Sequence, residues 1–88
     1  MVRKRRRMTE GALYVFTLPR KHDKAVLVNA IRAALKKAKC GRILGSGRSF
    51  FDETITVEIG ALDRPEAKAA VIAACRKLRC SDYELVWD

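Results

Sequence analysis

The chain has 88 residues, 49% of them hydrophobic and 33% charged, with a formal net charge of +9. Those proportions exclude a disordered polyelectrolyte, and the length excludes a second core, because a chain this short buries only about two thirds of the surface its unfolded form exposes. The charge is uneven: Arg3, Lys4, Arg5, Arg6 and Arg7 all precede the first patterned segment, which leaves about +4 for the rest.

Residues 1–10 are polar and basic and are expected to form a disordered arm ahead of a single α/β domain over residues 11–88. Residues 12–18 are dense in aromatic and β-branched side chains and stop at Pro19, which predicts a first strand. Arg20, Lys21 and His22 make a loop, and Asp23 is placed to cap a helix over residues 24–40. In that helix Leu27, Ala30, Ile31, Ala34, Leu35 and Ala38 recur at three- and four-residue steps. Lys36, Lys37 and Lys39 complement the carbonyl end of its dipole, and Gly41 is expected to stop it. Residues 42–44, a Gly45-Ser46-Gly47-Arg48-Ser49 break and residues 50–59 predict a hairpin. In its second limb Ile55, Val57 and Ile59 alternate with Thr54, Thr56 and Glu58.

Asp63, Pro65 and Glu66 mark a second helix start, with Glu66 expected to reach back to the Asp63 N–H. Ala67, Ala70, Val71, Ala74 and Leu78 supply its apolar stripe, Ser81 and Asp82 turn the chain, and residues 83–87 form a last strand. The order β-α-β-β-α-β with right-handed crossovers predicts a ferredoxin-like split β-α-β domain of α+β class: a four-stranded antiparallel sheet with two helices on one face. If residues 42–44 do not qualify as a strand, a three-stranded α+β arrangement is the alternative. No internal repeat stands out by residue identity, although the two halves share a layout.

Burying Leu13 and Val15 beneath the helices turns Tyr14 and Phe16 to the open face of the sheet, beside Thr54, Thr56 and Glu58. The run from Leu13 to Leu18 resembles the first-strand motif of the RNA-recognition motif family, which implies that Tyr14 stacks on a base. That family's third-strand motif, a basic residue, glycine and two aromatics, is replaced here by Thr54, Thr56 and Glu58.

The remaining features carry little chemistry. Gly45-Ser46-Gly47-Arg48-Ser49 offers a phosphate nest in composition, but it leads into a strand, whereas familiar phosphate loops lead into a helix. His22 has no adjoining Ser or Cys partner and is read as a loop residue. Cys40, Cys75 and Cys80 are odd in number and lack C-x-x-C spacing, so they predict neither a disulfide framework nor a zinc site. They are read as small buried hydrophobes in a reduced compartment, with Cys80 a candidate for a lowered pKa beside Arg79.

The composition therefore points to a non-enzymatic, cytoplasmic binding module with no membrane span, cofactor or metal. Arg3, Lys4, Arg5, Arg6, Arg7, Arg20, Lys21, Lys36, Lys37, Lys39 and Arg42 are the candidates for engaging an anionic polymer such as RNA or a ribosomal surface. The alternative is a protein-interaction or self-associating domain that uses Tyr14 and Phe16 on the open sheet face.

Overall fold

In the computed structural model, which describes residues 8–19, 22–49, 51 and 53–87, the alternation of apolar and polar side chains has its expected result. Six elements follow in the order β1 (Thr9–Thr17), α1 (Lys24–Ala38), β2 (Gly41–Arg48), β3 (Ile55–Ala61), α2 (Arg64–Lys77) and β4 (Asp82–Trp87). They form one antiparallel sheet in the order β2-β3-β1-β4, which is the ferredoxin-like α+β arrangement. Strand β1 sits in the centre, pairing Leu13 with Val57 on one side and with Leu85 on the other.

Between sheet and helices lies a core to which β1, β3 and both helices contribute fully buried side chains, with Ile43 of β2 and Leu85 of β4 packed against its edges. Leu13, Val15, Val57 and Ile59 meet Leu27, Ile31 and Leu35 of α1 and Ala67, Val71 and Cys75 of α2, all at most 1% exposed. The two helices bury different volumes of side chain: α1 presents leucine and isoleucine, α2 mainly alanine.

Both helices begin on an aspartate. The Asp23 carboxylate accepts from the Val26 N–H at 2.9 Å, and that of Asp63 accepts from the Glu66 N–H at 3.0 Å, each satisfying one free donor of the first turn. The Asp63 N–H, for which a return bond from Glu66 was expected, donates instead to the Cys40 carbonyl at 3.4 Å, beside the Leu62 N–H at 2.7 Å. This start is therefore tied to the end of the other helix.

Both helices also end alike, and not on glycine. Lys39 takes φ 53° and Arg79 takes φ 57°, the left-handed conformation. The next residue donates five positions back, Cys40 to Leu35 and Cys80 to Cys75, while Lys39 and Arg79 donate to Lys36 and Arg76. This is the Schellman closure, in which glycine normally relieves the Cβ crowding. Gly41 is needed for another reason: it already belongs to β2, and a Cβ there would run into the Gly60 carbonyl.

Several boundaries differ from the sequence expectation. Strand β1 starts at Thr9, so the pairing of Thr9 with Ala61 brings residues read as arm into the sheet. Gly45, Ser46, Gly47 and Arg48 are strand, not loop, and the turn falls later, with the Ser49 N–H donating to the Thr54 carbonyl at 2.9 Å. An irregularity between Ile43 and Gly45 absorbs one extra residue, Leu44, and lets β2 run on through two glycines that β propensity disfavours. The phosphate-nest reading of this segment is excluded by the same pairing, because its backbone is committed to β3. Asp82 opens β4 instead of turning the chain.

Trp87 ends β4 on the helix side. Its ring covers Gly11, where a Cβ would collide with it, and the Arg64 guanidinium stands 5.5 Å from the ring centroid. This cation–π contact joins the start of α2 to the edge strand.

Candidate nucleic-acid interface

The register sorts the side chains of the sheet into two faces. On the open face, away from the helices, Ala12 lies between Glu58 and Val86, and Tyr14 lies between Thr56 and Glu84. Glu10 and Arg42 flank Gly60 one row along, and Asp82 accepts from the Thr17 hydroxyl at 2.7 Å at the other end. Phe16 is 46% exposed and Tyr14 is half-buried, so both aromatics do face outward. Their neighbours are carboxylates, however: Glu10, Glu58, Glu84 and Asp82, against Arg42 among the described residues. A base stacked on Tyr14 would bring its phosphates beside Glu58 and Glu84, so the likeness to the RNA-recognition motif extends to fold and first strand but not to the face that family uses.

The helical layer has the opposite sign. Exposed cations on α1 and its closing turn are Arg32, Lys36, Lys37 and Lys39; on α2 and its closing turn they are Arg64, Lys68, Arg76, Lys77 and Arg79. Among the described residues of the two helices and their caps, the acids stand at the helix starts, at Asp23, Asp63 and Glu66. An open groove of about 820 Å³ runs between the helices, floored by alanines that include Ala30, Ala33, Ala34, Ala70, Ala73 and Ala74, with Lys37 and Glu66 toward one end and Lys77 toward the other.

The groove is lined in matched halves because the helices repeat one another. A shift of 40 residues carries Asp23 onto Asp63, Ala30 onto Ala70, Ala33 onto Ala73, Ala34 onto Ala74, Lys37 onto Lys77 and Cys40 onto Cys80. It also exchanges Lys36 for Arg76 and Lys39 for Arg79. These identities correct the expectation that no repeat stands out by residue identity; they are easily passed over because the core positions between them change size, Leu27 to Ala67 and Leu35 to Cys75.

The structure thus divides the cations singled out in the sequence. Lys36, Lys37 and Lys39 stand together on the helical layer, at the end where Gly41 and Thr9 both pair with Ala61. Arg42 turns to the open sheet face instead. Arg3, Lys4, Arg5, Arg6, Arg7, Arg20 and Lys21 lie outside the described residues. Arg32, Lys68, Arg76, Lys77 and Arg79 escape a reading that weighs only cations near loops and at the end of α1; plotting every cation at helical period finds them. His22 closes a turn, its N–H donating to the Pro19 carbonyl at 2.9 Å.

The cysteines are buried free thiols, as expected of small hydrophobes. The lowered pKa considered for Cys80 is contradicted: burial raises it, and the Arg79 side chain is exposed. Burial likewise pushes the Cys75 thiol up to about 12, with Cys80 adding to the shift, and raises Cys40, where Glu66 adds to it. Alkylating reagents at neutral pH are therefore expected to leave all three thiols unmodified until denaturant unfolds the chain. Because Cys75 titrates above its ordinary value of 9.0, the unfolded chain loses this proton first, and stability falls as pH rises from about 9 toward about 12. A denaturation midpoint that is flat across that range contradicts the buried placement, and Cys75→Ala removes this residue's share of the slope.

Among the described residues no group of His, Cys, Asp and Glu side chains is arranged to hold a metal ion, and no helix is long and apolar enough to cross a membrane. No family model, curated protein or solved structure matches the chain.

Proposed function

We propose that the chain is a non-enzymatic binding module that engages an anionic polymer, RNA or the RNA-rich surface of a ribosome, through its helical layer and basic N-terminal segment. The observation that carries this reading is the sorting of charge between the two layers, cations over the helices and carboxylates over the open sheet. A polyanion approaching such a molecule is turned helix-side first, because the two layers steer it in the same sense. The alanine floor between Lys37 and Lys77 lets a backbone come close without displacing large side chains.

Lys39 and Arg79 support the reading independently. Each occupies a left-handed position where glycine is favoured by about 1 kcal/mol, and each places an exposed cation at a helix end. Cations held at a conformational cost are more readily understood as ligands for an anion than as solvated surface.

Fluorescence anisotropy with a labelled single-stranded RNA tests the proposal. With about six phosphates neutralised, the affinity falls by two to three orders of magnitude between about 50 and about 200 mM salt. Binding that does not change over that range would rule out an electrostatic partner of this kind.

A second reading, a protein-interaction domain using the open sheet face, is favoured by the exposure of Phe16, Leu44 and Val86 there. The carboxylates among them require that such a partner be basic.

A further inference from the structure

We infer that the open face of the sheet is a docking surface for the chain's own basic N-terminal segment, residues 2–7, so that the segment has a seat on the molecule in the absence of any polyanion. Beyond Met8 and Leu44, no described residue covers the face, and its form suits an extended chain. Gly45, Gly47 and Ala12 leave its middle low, Gly60 lies beneath Met8, and the Glu58 carboxylate occupies the space beside Gly45, 3.2 Å from where a Cβ would stand.

Charge complementarity selects the occupant. A second copy packed sheet to sheet would set Glu10, Glu58 and Glu84 against their own counterparts, and nucleic acid would be repelled by them. Residues 2–7 carry Arg3, Lys4, Arg5, Arg6 and Arg7, the densest run of positive charge in the sequence. Continuity supplies the second argument. Met8, directly after the segment, lies on this same face, its thioether methyl over Gly60 and close to Leu44. From Gly60 to Glu84 is two strand spacings across and four residues along, about 16 Å, so a segment that turns back at Met8 reaches Glu84 within the roughly 20 Å of six extended residues. A short tether keeps the local concentration of the segment in the millimolar range, where a modest charge attraction is enough.

The inference stands apart from polyanion binding, and its test contains no nucleic acid. A nitroxide is attached to Val2→Cys in the full chain, where the three native thiols are buried and do not compete for the label. Amide NMR line widths are then recorded. At low salt the label is expected to broaden Tyr14, Gly45, Gly47, Glu58 and Glu84 more than the helix amides. Recovery is expected at about 0.5 M salt, where the screening length falls below about 5 Å. The Glu58→Lys/Glu84→Lys double variant, altered only at exposed side chains, is expected to lose the broadening while keeping its circular dichroism spectrum. Broadening confined to Thr9, Glu10 and Gly11, or spread over α1 and α2, overturns the proposal. So does broadening that appears only between a labelled copy and a separate isotope-enriched copy, since the occupant is then a neighbour's segment.

Discussion

Leu35→Ala is expected to cost about 2–5 kcal/mol of folding stability. Leu35 is fully buried, its carbonyl closes the end of α1 by accepting from the Cys40 N–H, and the other half of the repeat places only Cys75 at the equivalent position. The cavity left by removing three carbons therefore cannot be filled from across the helix pair without moving both helices. Since domains are stable by about 0.05–0.15 kcal/mol per residue, 88 residues hold roughly 4–13 kcal/mol, and the substitution removes a large part of it. Urea denaturation should show a much lower midpoint with an unchanged slope. Phe51→Ser is the control: the ring is fully exposed, and its removal should move stability by less than about 0.5 kcal/mol. Equal shifts for the two variants would mean that the core is not where Leu35 sits.

Reversing Lys36, Lys37, Arg76 and Lys77 together to glutamate is expected to lower RNA affinity by at least a hundredfold and to flatten its salt dependence. Each phosphate that is no longer neutralised takes about 0.7 from the logarithmic salt slope for a single strand, and the new carboxylates add repulsion. These four side chains are exposed, so the core is untouched; because they lie in the last turns of α1 and α2, where carboxylates oppose the helix dipole, the urea midpoint should fall while an unchanged circular dichroism spectrum verifies the fold. Arg42→Glu carries the same change of sign per residue onto the sheet face and is expected to change affinity less than about threefold. If Arg42→Glu matches the quadruple variant, the polymer is not reading the helical layer, and the sorting of charge between layers has no bearing on binding.

Legibility from the sequence follows the periodicity of the signal. The helices are readable because Asp23 and Asp63 cap them and their apolar stripes recur at regular steps, and the inward parity of β1 is readable from Leu13 and Val15. Strand β2 is not, because Gly45 and Gly47 have the composition of a turn while pairing with Glu58 and Thr56, and only the neighbouring strand makes them extended. For the same reason the sequence places the hairpin turn too early. The charge sorting is half legible: cations at the end of α1 stand out by position, whereas Arg76, Lys77 and Arg79 emerge only when cations are plotted at helical period or the halves are aligned at a shift of 40, an equivalence their closing turns repeat. Of the open-face carboxylates, Glu58 is legible by alternation, whereas Glu10 falls in residues read as arm, and Glu84 joins Glu58 only through the register of β4 on β1.

The left-handed turns at Lys39 and Arg79 set two properties of the molecule against each other. A search for heat-resistant variants would be drawn to glycine at both positions, since relaxed backbone torsions there raise the melting temperature at no cost to packing. Each such gain deletes a unit of positive charge from one end of the helical layer, Lys39 beside the start of α2 and Arg79 at the opposite end. Hardening the fold at these two points and keeping positive charge there are competing demands, and the chain as it stands keeps the charge.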